Sequence, residues 1–249
     1  GEVIPIQAAG NKASDRTRGH RVVGGGKWLA VRDAGSYVRI LERQGVFVDP
    51  QRRRQLIQEQ IATVCSKTGF RLNEDEALLD QAVYTTELPS SIIGSFKEAY
   101  LDVPEEILIT SMKEHQGFFS LRHKQTGKLV AHFIAVANNR VKDMSLIREG
   151  NERVLAARLA DAKFFFDEDR EVKLADRGKK LAGVTFHPKL GTMEQKQERV
   201  RKLARFIAAH LYPGQDELRQ ACDRAASLSK ADLLTGIVGE FPELQGIMG

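Results

Sequence analysis

The sequence predicts an α+β fold: a mixed α/β segment followed by an all-helical one. Two observations carry this. Up to about residue 140 the apolar residues switch between a helical spacing and a spacing of two, whereas from Asp143 onward the spacing is helical almost throughout. Helix-start signals also recur along the chain, at Asp33, Asp49-Pro50, Asn73 with Glu76, Asn151, and Thr192 with Gln195.

Element by element, Glu2 to Ala9 alternates weakly and reads as a strand. Asn11 to Gly26 is rich in glycine and carries Arg16, Arg18, His20 and Arg21, so it reads as a long, basic, flexible connection. Asp33 caps a helix bearing Tyr37, Val38, Ile40 and Leu41, which Gly45 stops. Asp49 and Pro50 stand in cap and first-turn order for a second helix. Its apolar face is Leu56, Ile57, Ile61, Val64 and Cys65, with Arg52, Arg53 and Arg54 opposite and Gly69 at the end. Asn73 and Glu76 have capping-box spacing for a third helix with Leu78, Leu79, Ala82 and Val83. Ser91 to Phe96 reads as a strand, and Pro104 opens a short helix through Ile107, Leu108 and Met112. Phe118 to Arg122 and Leu129 to Ala137 are β runs around the turn Lys124-Gln125-Thr126-Gly127. Asn151 is expected to cap a long helix with Val154, Leu155, Leu159, Ala162, Phe165 and Phe166 on one side, and Thr192 with Gln195 forms a capping box for a helix through Val200, Leu203, Ile207 and Leu211. Asp216 to Leu228 and Ser229 to Glu240 follow as helices. The sequence stops just after a helix, which points to a fragment.

Composition narrows the class. A chain of 249 residues fits one large domain or two modest ones at roughly 100–200 residues each. No run approaches the ~18 apolar residues of a membrane span, and the first ten residues lack a leader's basic start and apolar run, so no membrane partner is expected. Two cysteines, Cys65 and Cys222, supply neither a disulfide framework nor a Cys-type zinc site, and a reducing cytoplasm fits them best. The net charge of +5 is uneven: residues 1–60 hold 11 basic and 6 acidic side chains, and residues 151–210 hold 14 and 9. Two basic zones suit a polyanion, and equally suit solvated helix faces.

Catalytic motifs are scarce. Gly26-Lys27-Trp28 is not a phosphate loop, because Ser or Thr must follow the lysine to hold magnesium. The six histidines are scattered, and His132 reads as a packed strand residue. Asp161, Asp167 and Asp169 suit surface ion pairs with Arg158, Lys163 or Arg170 better than a metal. Lys113 and His115, just before Phe118-Phe119, could contact phosphate and stack a base; the alternative is that the phenylalanines are core. Phosphohydrolases of the HD type bind a divalent metal with a His-Asp pair and an upstream His. Here His187 and Asp232 stand near such positions, but Lys230 stands near where a histidine belongs, and a protonated lysine has no lone pair to give. Any such centre is expected to be degenerate and metal-free.

Six stretches, taken in order, resemble one family. They are Thr110-Ser-Met-Lys-Glu-His-Gln-Gly-Phe-Phe119, Phe133-Ile-Ala-Val-Ala-Asn138, Gly150-Asn-Glu-Arg-Val-Leu-Ala-Ala-Arg-Leu-Ala-Asp-Ala-Lys-Phe-Phe-Phe166, Phe186-His-Pro-Lys-Leu-Gly-Thr192, Leu228-Ser-Lys-Ala-Asp-Leu-Leu-Thr235 and Glu240-Phe-Pro-Glu-Leu-Gln-Gly-Ile-Met-Gly249. Together they are similar to the beta subunit of bacterial heterotetrameric glycyl-tRNA synthetase. The chain departs from the family at Phe118-Phe119-Ser120, where the family tends to a Tyr-Phe-Pro run.

The resemblance implies an internal piece of a longer chain. It implies that residues 1–180 form a mixed α/β domain like the editing-type domain of the phenylalanyl-tRNA synthetase beta chain, and that residues 181–249 begin a truncated helical HD-like domain. It places glycine, ATP and magnesium on the alpha subunit, leaves this chain without cofactor, and names the alpha subunit and tRNA as partners. Consistently, the chain has no His-Ile-Gly-His or Lys-Met-Ser-Lys-Ser element, and Gly150-Asn151-Glu152-Arg153 is only a superficial echo of a class II signature. The expected function is part of a glycine–tRNA ligase, inactive alone. A stand-alone hydrolase, deacylating tRNA or cleaving phosphoesters, and an inert spacer are the competing readings. Arg16, Arg18, His20, Arg21, Lys113 and His115 are the candidate RNA contacts; His187, Lys230 and Asp232 are the candidate degenerate site.

Overall fold

The structure, a computed structural model, describes residues 2–248; Gly1 and Gly249, the outer ends of the two expected segments, lie outside the described residues. It is mixed α/β. In order come β1 (Gln7–Ala8), β2 (Asn11–Lys12), β3 (Arg16–Arg18), β4 (Trp28–Ala30), α1 (Ala34–Arg43), α2 (Pro50–Thr68), β5 (Phe70–Leu72), α3 (Glu76–Thr85), β6 (Pro89–Ser95), α4 (Glu105–Gln116), β7 (Phe119–His123) and β8 (Leu129–Asn138). Then follow α5 (Ser145–Arg170), α6 (Leu174–Gly178), β9 (Thr185–His187), β10 (Gly191–Thr192), α7 (Met193–Leu211), α8 (Asp216–Leu228) and α9 (Gly236–Glu240), with short 3-10 turns between some of them. The chain packs as two compact units: residues up to Leu101 with Met112–Ala156, and Asp102–Ser111 with the residues from Ala157 onward.

The first unit is built on a four-stranded antiparallel sheet in the order β5-β7-β8-β6. Phe119, Leu121 and Ile134 on this sheet pack with Ile57 and Ile61 of α2 and with Leu78, Leu79, Ala82 and Val83 of α3. Each fully buried side chain of this size contributes about 1.5–3 kcal/mol. Gly94 of β6 lies opposite Phe133 of β8, and a Cβ there would stand 2.4 Å from the ring's Cζ. The glycine lets Phe133 lie flat across the sheet, where it stacks on Phe118 with ring centroids 4.7 Å apart.

Local chemistry explains most helix ends. Asp33 accepts from the Ser36 amide, Asp49 accepts from the Gln51 amide ahead of Pro50, and Gly69 closes α2 at φ 72°. Three expectations shift. Asp75, not Asn73, caps α3 by accepting from the Leu78 amide; Asn73 instead donates to Ser120 Oγ and accepts from Arg122 Nε. The long helix α5 begins at Ser145, whose amide is held by Asp143, so Asn151 lies inside it. Arg53 is half-buried rather than free in solvent: it donates to the carbonyls of Val83, Phe47 and Val48, at 2.8, 2.6 and 2.9 Å.

In the second unit, α7 carries the expected Thr192/Gln195 capping box and packs on α8. Gln197 donates to the carbonyls of Ser227 and Ser229, and Asp223 accepts from both Arg201 and Arg205, which holds its carboxyl well below the usual carboxylate range. The expected helix over Ser229 to Glu240 is broken: Lys230 sits at φ 68°, a 3-10 turn follows, and α9 starts only at Gly236. The first two amides of α9, Gly236 and Ile237, donate to Asp169 at 2.9 and 2.8 Å, and Arg177 pairs with the same carboxylate at 2.9 Å. Thr235 Oγ1 accepts from the Val238 amide and donates to the Asp232 carbonyl.

Candidate nucleic-acid interface

The basic segment near the start is not a loose connection. Arg16–Arg18 pairs antiparallel with Trp28–Ala30, in the register Arg16↔Ala30, Thr17↔Leu29, Arg18↔Trp28. Residues opposite one another share a face of such a ribbon, and the alternation is visible in burial: Thr17 and Leu29 are half-buried, while Arg16, Arg18, Trp28 and Ala30 are exposed. The Arg18 guanidinium lies 4.1 Å from the centre of the Trp28 ring. Among the described residues Arg16, Arg18, Arg21 and Lys27 form no ion pair with a carboxylate, so their charge is presented to solvent.

His20, expected among the RNA contacts, is a correction: it is 3% exposed. Its Nδ1 accepts from the Val22 and Val23 amides, at 3.3 and 3.2 Å, and its Nε2 lies 3.3 Å from Asn138 Oδ1. An accepting Nδ1 puts the ring proton on Nε2, donating to Asn138. The His20 amide also donates to the Gln44 carbonyl at 2.9 Å. His20 therefore pins the ribbon's turn to the body, and Asn138, which also accepts from the Glu87 and Leu88 amides, is the hub it binds.

The second basic candidate is spent internally. Lys113, near the end of α4, meets Asp75 at 2.6 Å, and that hydrogen bond pushes the lysine up in pKa. Burial works to raise the Asp75 carboxyl, but Lys113 and the Leu78 amide outweigh it and the net shift is down. His115 is half-buried two residues later. Phe118 and Phe119, at 7% and 1% exposed, are core, which removes the base-stacking reading there.

The remaining candidates stand apart. His187 is exposed at the end of β9, where its Nδ1 accepts from the Lys189 amide. Asp232 is 3% exposed and accepts from the Gly246 amide at 2.6 Å, which clamps the turn after α9. Among the described residues no hydrogen bond joins His187, Lys230 and Asp232, and no group of three or more His, Cys, Asp or Glu could hold a metal. Lys163 pairs with Asp167 at 2.6 Å as expected, while Arg158 goes to Glu240 instead. His132 is half-buried beside Phe70, and burial lowers its pKa. The sequence reading missed Trp28. The signal was there: basic and aromatic residues at alternate positions on either side of a glycine-rich turn, which is a hairpin pattern.

The ribbon of this mixed α/β chain thus presents cations beside an exposed indole. Comparison with known proteins then fixes the family. The model of the glycyl-tRNA synthetase beta subunit matches residues 1–249, and the chain belongs to that family. Curated relatives called glycine–tRNA ligase beta subunit include those of Geotalea uraniireducens, 46% identical over 249 residues, Phenylobacterium zucineum, 44% over 250, and Desulforudis audaxviator, 46% over 248. These alignments take in 99–100% of this chain but 36–37% of each relative, so the chain spans little more than a third of their length. No helix among the described residues is long and apolar enough to cross a membrane.

Proposed function

We propose that this chain serves glycyl-tRNA formation as a tRNA-binding and assembly part of a glycine–tRNA ligase beta subunit. The observation that carries the proposal is the family match along the whole chain. On this reading the alpha subunit is its partner and holds ATP and magnesium, the complex works in the cytoplasm, and the chain alone charges no tRNA. Residues 1–180 take the part of an editing-type domain and residues 181–249 that of a truncated, metal-free HD-like domain; the packing units divide elsewhere, with Asp102–Ser111 in the second unit and the later boundary between Ala156 and Ala157. Lys230 beside the buried Asp232 supports the metal-free reading, because a cation there repels a divalent ion. The family match does not favour a stand-alone hydrolase.

Arg16, Arg18 and Arg21 are the proposed phosphate contacts. Phosphate contacts release counterions, so each lost cation lowers the salt slope of binding by roughly 0.7–0.9. In the full-length subunit assembled with its alpha partner, reversing all three to glutamate should weaken tRNA binding, flatten its salt dependence and raise the KM for tRNA in glycine charging. Unchanged affinity, slope and KM in a folded variant would overturn the assignment. Glycine-dependent pyrophosphate exchange by this chain alone would overturn the division of labour.

A further inference from the structure

We infer that Trp28 is a stacking platform for an unpaired base, so that the ribbon grips single-stranded rather than duplex RNA. The inference deepens the RNA reading of the ribbon and rests on it.

An indole is a large apolar surface that proteins ordinarily bury, yet Trp28 is 58% exposed. It is also held in place. The β3–β4 register sets it opposite Arg18 on the outward face, with Arg16 two residues along the same strand as Arg18. The guanidinium at 4.1 Å fixes the ring's orientation, a cation–π contact that a base stacked on the indole extends rather than replaces. Lys27 adjoins the tryptophan, and Arg21 starts the turn that leads to it. The turn itself runs through Gly25 and Gly26, both near φ +60°, a left-handed conformation that costs glycine little. Without side chains there, a sugar–phosphate backbone can approach the ribbon's end. Asp15, exposed one residue before β3, is the acid on the ribbon, against Arg16, Arg18, Arg21 and Lys27.

Cations alone do not distinguish duplex from single strand, because both present phosphates. A π-face does. In a duplex each base face is covered by its neighbours, so only an unstacked base can offer one to an aromatic side chain. An indole flanked by cations along one exposed face is therefore built for a flexible strand whose bases splay out.

The test exploits a property of the sequence: Trp28 is the only tryptophan among the 249 residues, so the chain's indole fluorescence reports this site alone. The probes are an oligoadenylate of roughly 12 nucleotides, within single-strand site sizes, and an RNA duplex of matched phosphate content. The oligoadenylate should quench the fluorescence and bind more tightly than the duplex at equal salt. Trp28→Ala should lose about 5- to 150-fold in oligoadenylate affinity, the worth of one stacked base, and leave duplex affinity unchanged. Trp28→Phe should keep most of the affinity, and it carries the test if the alanine variant does not fold. Wild-type oligoadenylate affinity in a folded Trp28→Ala chain overturns the inference, as does equal binding and quenching by polyglutamate. If Arg16→Glu with Arg21→Glu weakens both probes while Trp28→Ala weakens neither, the ribbon still binds RNA and only the stacking role falls. If none of these variants matters, the RNA reading falls with it.

Discussion

The two basic segments singled out in the sequence, Arg16 to Arg21 and Lys113 with His115, combine the same residue types and take opposite parts in the fold. In the first, the arginines stand on the open face of a ribbon and no carboxylate among the described residues meets them. In the second, Lys113 is bonded to the carboxylate that caps α3, and the aromatic pair beside it is sealed in the core. Period decides the outcome. A two-residue alternation on a ribbon with one face against the body sends every second side chain outward, whereas Lys113 sits on a helix whose next residues enter the central sheet. A cation next to an aromatic is thus informative only once the element that carries it is known.

The contrast can be broken at several points. The largest effect is expected for Phe119→Ala, which empties a fully buried site and should cost about 3–5 kcal/mol in urea unfolding. A near-neutral result would mean that the 113–119 segment is not core after all. Gly94→Ala should cost roughly 1–3 kcal/mol by overpacking, because the new methyl meets Phe133; thermal unfolding reads it. His20→Ala leaves two turn amides without their acceptor and should cost about 1–3 kcal/mol. A stability unchanged by it would return His20 to the list of surface contacts.

Lys113→Gln sharpens the comparison through pH. Asp75 has a lowered pKa, so its contribution is present above the ordinary carboxylate value of 3.8 and is lost as pH falls through the folded value. The stability gap between wild type and Lys113→Gln should be about 1 kcal/mol at neutral pH and should close in acid; a gap that persists in acid would show that the pair is not its source. Smallest of all, Arg16→Glu should change stability by no more than about 0.5 kcal/mol, since it touches nothing buried. A larger loss in a chemical melt would make the ribbon structural and erase the difference between the two segments.

What was legible in the sequence was mostly local. Asp49-Pro50 to Gly69, the Thr192/Gln195 box and the turn ending at Gly127 were readable because each signal and its consequence lie within a few residues. Where partners are distant, local reading failed. Asn73 has capping-box spacing, but Ser120 and Arg122 of the neighbouring strand β7 claim it. Arg53 carries a surface-type side chain, yet three backbone carbonyls claim it. Asn151 has a capping side chain, but α5 was already under way from Ser145. The same holds for the site. The exposed arginines were legible; the burial of His20 was not, because it depends on Asn138, 118 residues away.

The clasp of Asp169 on α9 bears on the order in which the chain acquires structure. A five-residue helix cannot nucleate by itself, since fixing its first turn costs more than one hydrogen bond returns. Here the two leading amides wait for a carboxylate 67 and 68 positions upstream. That carboxylate lies in the last turn of a 26-residue helix, which can form early from local contacts. During synthesis α5 leaves the ribosome well before Gly236, so the acceptor stands ready when its donors emerge. The helix α9 is in this sense templated: its start is dictated by an earlier element, and loss of the Asp169 carboxylate would delay or abolish a segment far along the chain while leaving α5 able to form.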